Sequence, residues 1–96
     1  MPRKTKRQRL IELLEKGEFD VEQLASFLDV PVRQVVSDLP HVAKSTGDRF
    51  EVIPPECAGC GFVFRGRDKI KRPSRCPECR DERIDGPWFH VERREA

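Results

Sequence analysis

Apolar positions in the first half of the chain recur at helical spacing. Leu10, Ile11, Leu13 and Leu14 follow Thr5 and Gln8, which are spaced as a capping box, and Gly17 closes the segment. A second start lies at Asp20, with Gln23 three residues on, and Leu24, Ala25, Phe27 and Leu28 form the apolar face of a short helix. Asp29-Val30-Pro31 makes the next turn, and Pro31 suits the opening of a third helix over about Val32–Lys44. At roughly 100° per residue, Val35, Leu39, Val42 and Ala43 fall on one side of it. Arg33, Gln34, Ser37, Asp38, His41 and Lys44 fall on the other. Pro40 supplies no N–H to the helical ladder, which predicts a kink or break near Leu39.

The period then changes from helical to alternating. Ser45-Thr46-Gly47-Asp48 reads as a turn, and Phe50 and Val52 alternate with Arg49 and Glu51, predicting a strand over Arg49–Ile53 that Pro54-Pro55 ends. Phe62 and Phe64 alternate as in a short strand with one covered face. Residues 65–75 read as the returning hairpin, and Arg83-Ile84 as a further strand. Asp85-Gly86-Pro87 makes another turn before a final strand over Trp88–Glu92, with Phe89 and Val91 on one face and Trp88 and His90 on the other. The fold class is α+β. Three short helices with a tight turn between the second and third give a helix-turn-helix. Pairing of the last strand with Arg49–Ile53 would make the wing of a winged helix-turn-helix formed by residues 1–53 and 86–96. Residues 54–85 would then be a unit inserted in, or appended to, that wing. Two tandem domains joined at Pro54-Pro55 are the alternative. Insertion is preferred because a lone final strand leaves Trp88, Phe89 and Val91 without a partner.

Chemistry enters with the cysteines. Cys57 and Cys60, then fifteen residues, then Cys76 and Cys79 give the C-x₂-C…C-x₂-C spacing of a zinc site. Each pair presents two sulfurs to one metal from a single tight turn, and two facing turns complete a tetrahedral S₄ shell. Gly61 lets the first turn bend sharply toward the thiolates, and Pro77 stiffens the second. Arg80 stands where the first turn has Gly61 and makes the second less ideal. A closed S₄ shell leaves no position for substrate, so one structural Zn²⁺ is expected, in a ribbon whose two knuckles are similar to those of rubredoxin. Redox iron is the competing occupant of an S₄ tetrahedron.

The charge balance adds a restriction. Lys and Arg number 19 against 17 Asp and Glu, a formal net charge of +2. Four thiolates on one divalent ion bring the folded chain close to neutral, so attraction to nucleic acid must come from uneven placement. Residues 1–9 carry five cations and no acid. Arg65, Arg67, Lys69, Lys71, Arg72 and Arg75 face only Asp68 in the stretch 65–75. No apolar run is long enough to span a membrane, and no signal-peptide core follows the basic start. A cytoplasmic protein with reduced thiols is expected.

In a helix-turn-helix the third helix enters the major groove of double-stranded DNA, so Arg33, Gln34, Ser37, His41 and Lys44 are the candidate base and phosphate contacts. Arg65, Arg67, Lys69, Lys71 and Arg72 are candidates for the phosphate backbone. The weakly cationic third helix leaves a second reading open, a module that docks on a protein partner in a transcription or other macromolecular complex. An enzyme is not expected: the sequence offers no nucleophile–base pair, phosphate-cradling loop or open metal site. Helix-turn-helix proteins often dimerise to read paired half-sites, so a homodimer is compatible with the pattern.

Over Val21–Lys44, Cys57-Ala58-Gly59-Cys60-Gly61-Phe62-Val63-Phe64 and Lys71-Arg72-Pro73-Ser74-Arg75-Cys76-Pro77-Glu78-Cys79, the chain resembles a family of small archaeal proteins. These are predicted transcriptional regulators in which a winged helix-turn-helix is fused to a rubredoxin-like zinc ribbon. The resemblance runs from about Thr5 to Glu92. It implies an intracellular archaeal protein, zinc on the four cysteines and a ribbon placed within the wing.

Overall fold

The computed structural model describes residues 5–65, 70 and 72–93. Three helices come first, α1 (Lys6–Lys16), α2 (Val21–Leu28) and α3 (Val32–Thr46), followed by a 3₁₀ turn at Gly47–Arg49. Four strands complete the order: β1 (Phe50–Ile53), β2 (Glu56–Cys57), β3 (Ile84–Asp85) and β4 (Trp88–Val91).

Both expected capping boxes form. The Thr5 hydroxyl accepts from the Gln8 N–H at 3.1 Å while the Gln8 side chain accepts from the Thr5 N–H at 2.9 Å. Asp20 and Gln23 repeat the exchange at 2.7 and 3.0 Å. Asp29 ends α2 in the left-handed conformation at φ 55°, a region in which Asp is among the tolerated residues, and the chain re-enters a helix directly after Pro31.

The predicted break at Pro40 does not occur: α3 runs unbroken from Val32 to Thr46. Proline in a helix interior costs about 3 kcal/mol or more. Here Val35, Leu39 and Val42 are at most 1% exposed, and each buried aliphatic side chain contributes about 1.5–3 kcal/mol, which outweighs that cost. Pro40 itself faces outward. The expected turn at Ser45–Asp48 also starts late, because Thr46 remains helical and its hydroxyl donates to the Val42 carbonyl at 2.8 Å. Gly47, at φ 57°, then stops the helix.

The strands make two separate two-stranded antiparallel sheets. β1 pairs with β4 in the register Phe50–Val91, Glu51–His90, Val52–Phe89 and Ile53–Trp88, so the first and last strands meet while residues 54–87 leave and return between them. β2 pairs with β3 through Glu56–Asp85 and Cys57–Ile84. Phe19, between α1 and α2, exchanges both backbone hydrogen bonds with Phe89 at 3.0 and 2.8 Å, which gives β4 a neighbour on its second edge. One core forms where α1, α2 and α3 meet this sheet: Leu10, Leu14, Leu24, Ala25, Val35, Leu39, Val42, Phe89 and Val91. A second, much smaller cluster holds Cys57, Cys76 and Ile84, flanked by Phe62 and Phe64. No helix among the described residues is long and apolar enough to cross a membrane.

Candidate metal centre

The second cluster is built around sulfur. Each C-x₂-C pair is folded by the same backbone pattern. In the first, the Cys57 N–H donates to the Phe62 carbonyl at 2.8 Å and the Gly61 N–H to the Cys57 carbonyl at 2.9 Å. In the second, the Cys76 N–H donates to the Asp81 carbonyl and the Arg80 N–H to the Cys76 carbonyl, both at 2.9 Å. Gly61 has φ 79° and Arg80 φ 62°. Arg80 therefore adopts the left-handed turn that Gly61 makes without steric cost, and the second knuckle matches the first despite its side chain.

Amide groups point at the sulfurs as the turns close. The Gly59 N–H lies 3.3 Å from the Cys57 Sγ, and the Glu78 N–H 3.4 Å from the Cys76 Sγ. The N–H groups of Phe62 and Asp81 also donate to Cys60 and Cys79. Across the two knuckles, Cys57 and Cys79 sulfurs are 3.5 Å apart and those of Cys60 and Cys76 3.6 Å. All four lie within 4.8 Å of one another. A tetrahedron with Zn–S bonds of about 2.3 Å requires sulfur separations of about 3.8 Å, so the set fits zinc. Disulfides, at about 2.05 Å, are excluded.

Proton affinities follow from the crowding. The Phe62 N–H favours the Cys60 thiolate, but desolvation and the three neighbouring sulfurs prevail and push its pKa up to about 12. At Cys76 desolvation acts upward, while the N–H groups of Cys79 and Glu78 and the neighbouring sulfurs bring the thiol down to about 7. Four close sulfurs cannot all ionise without a cation, which is the chemistry a divalent metal supplies. Cys57 and Cys76 are buried whereas Cys60 and Cys79 reach the surface, so the centre lies at the rim of the ribbon.

Next to the centre, Asp81 accepts from the Arg83 N–H at 2.8 Å and from its guanidinium at 2.7 to 3.2 Å. The Arg83 side chain, then its N–H, hold the Asp81 carboxyl at a pKa of about 2. From the sequence, Arg83 reads only as a strand residue, and neither Asp81 nor Gly59 receives a role at the centre. The available signal was the Asp81-x-Arg83 spacing directly after the second knuckle.

The other candidates lie away from the sulfurs. Arg33, Ser37, His41 and Lys44 are exposed along one face of α3. Gln34 is half-buried, and its amide donates to both Asp38 carboxylate oxygens at 3.2 Å. Arg65 is exposed, and Arg67, Lys69 and Lys71 lie outside the described residues. Arg72 is exposed but tied down: its Nε donates to the Gly86 carbonyl at 2.8 Å and its Nη1 to Glu22 of α2 at 3.0 Å.

Two family models match the chain, the PF0610-like N-terminal domain over residues 5–52 and the PF0610 rubredoxin-like zinc β-ribbon domain over residues 54–94. The chain belongs to the PF0610-like family. The solution NMR structure of protein PF0610 from Pyrococcus furiosus is similar at 34% identity and a TM-score of 0.71, covering 98% of this chain and 97% of that one. No curated protein matches. The PF0610 ribbon match extends through β4, although β4 contributes Phe89 and Val91 to the helical core. The ribbon match and the four-sulfur geometry together assign one structural zinc ion to Cys57, Cys60, Cys76 and Cys79.

Proposed function

We propose that this protein is a DNA-binding transcriptional regulator of the cytoplasm, without enzymatic activity. In this reading residues 1–53 and 86–96 form a winged helix-turn-helix, and the ribbon of residues 54–85 extends from its wing. The observation that carries the reading is the division of α3. Val35, Leu39, Val42 and Thr46 are buried against the core, while Arg33, Ser37, His41 and Lys44 form an exposed polar stripe on the opposite face. The element order supports it, since Phe19 between α1 and α2 adds to the sheet of β1 and β4 that follows α3. Gln34, tied to Asp38, is a weaker reader than Arg33. Arg72, tied to Glu22 and Gly86, links the ribbon to the helices and is less available to phosphate than the exposed Arg65.

Selection from a random duplex library tests this reading, followed by titration at fixed salt. It predicts one enriched sequence, and a loss on Arg33→Ala worth about 1–3 kcal/mol for that duplex. No enrichment, together with duplex affinity untouched by Arg33→Ala and Lys71→Ala, rejects it.

A second reading, a module docking on a protein partner, is favoured by Phe27 and Val32. These large apolar side chains at the α2–α3 corner are 62% and 41% exposed. Recovery of a stable partner that Phe27→Ser fails to hold would select this reading over the first.

A further inference from the structure

Asp81 touches both zinc knuckles. Its carbonyl accepts from the Cys76 N–H at 2.9 Å, which closes the second knuckle. Its side chain reaches back to the first: a Cβ placed on Gly59 would stand 2.6 Å from Asp81 Oδ2 and 3.2 Å from Cγ. The same carboxylate fixes Arg83, whose carbonyl accepts from the Ala58 N–H at 2.8 Å, again in the first knuckle. Asp81 is only half-exposed to solvent, and Gly59 lies outside the left-handed region. The absence of a side chain at residue 59 therefore serves the approach of Asp81 and no backbone requirement.

We propose that Asp81 is a positioning residue of the zinc centre: clasped by Arg83 and seated on Gly59, it sets the distance between the two cysteine pairs and thereby the affinity for the metal. Residues beyond the ligands commonly change metal affinity 10–100-fold, because they hold ligand atoms where the ion requires them. Backbone hydrogen bonds shape each knuckle and tie Cys57 and Ala58 to the Arg83–Ile84 segment, and the Asp81 side chain adds the contact at Gly59 that sets how closely the two knuckles approach.

The test uses the full chain and zinc competition with a chromogenic chelator. Asp81→Ala is expected to bind zinc about tenfold or more weakly and to shift the visible absorption bands of the Co²⁺-loaded protein, which report the sulfur geometry. Asp85→Ala, a surface acid of the same ribbon, is expected to do neither. Asp81→Asn keeps an oxygen for the Arg83 N–H and is expected to recover part of the loss. Gly59→Ala is expected to weaken zinc binding in the native background and to add little in the Asp81→Ala background, because the two closest atoms, Oδ2 and Cγ, are then gone and the remaining Cβ stands at 3.4 Å. Far-UV circular dichroism checks that α1 to α3 remain folded in each variant. Zinc affinity of Asp81→Ala within twofold of native, or losses from Gly59→Ala and Asp81→Ala that simply multiply, would overturn the proposal.

Discussion

The helical half and the ribbon are held together by different physics. Around α1, α2 and α3, nine buried apolar residues meet in one core, and partly buried neighbours from Ile11 to Ile70 close over it. Among the described residues the ribbon buries Pro55, Cys57, Cys76 and Ile84, with Phe62 and Phe64 at 5.0 Å packed edge to face. Its two strands pair over only two residues each. So little apolar area cannot offset the entropy of ordering the described ribbon residues, at about 1–2 kcal/mol of backbone entropy each, and the metal makes up the difference. β4 is the exception that defines the boundary: it follows the ribbon in sequence but belongs energetically to the helices.

The contrast breaks most visibly at a ligand. Cys76→Ala should abolish a binding free energy on the order of 10 kcal/mol, with zinc per chain falling from one to none by metal analysis while helical circular dichroism persists. Phe89→Ala should act on the other half. It empties the site between β1, Phe19 and the helices, stacked 6.0 Å from Phe50, and should cost about 3–5 kcal/mol in denaturant unfolding. If it impairs only zinc binding, the boundary drawn at β4 is misplaced.

Protons sharpen the difference next. Cys60, pushed up to about 12, and Cys79, also raised, keep their protons at neutral pH in the metal-free site, whereas the loaded site holds none. The metal-free protein thus binds more protons, and zinc affinity should rise with pH by at least about tenfold per unit. Chelator competition between about pH 6 and pH 8 checks the slope; helical stability should hardly move. Asp20→Ala removes the α2 cap and should cost about 1 kcal/mol, confined to the helical transition. The smallest effect belongs to the ribbon. Arg80→Gly relieves a left-handed arginine at about 1–2 kcal/mol, partly offset by glycine entropy, for a net gain of about 0.5 kcal/mol in the zinc-loaded thermal transition.

What the sequence disclosed tracks how local each determinant is. Thr5–Gln8, Asp20–Gln23 and the two cysteine pairs are short-range signatures whose meaning does not depend on the rest of the chain, and each reads correctly. The pairing of β1 with β4 was accessible by asking what would cover Trp88, Phe89 and Val91. The break expected at Pro40 does not form because its local penalty is overruled by burial of Val35, Leu39 and Val42, a tertiary effect. Phe19 was hidden because a single bridging residue carries no periodicity. The roles of Arg72 and Asp81 depend on Glu22, Gly86 and Gly59, which only folding brings near them.

A chelator titration of the ¹⁵N-labelled, zinc-loaded chain, read residue by residue through its amide resonances, tests the division of labour most directly. The account predicts that Phe62, Val63 and Ile84 lose their native positions as one zinc per chain departs, while Leu14, Leu39 and Phe89 keep theirs. Simultaneous loss of both sets, or survival of the ribbon without metal, would contradict it.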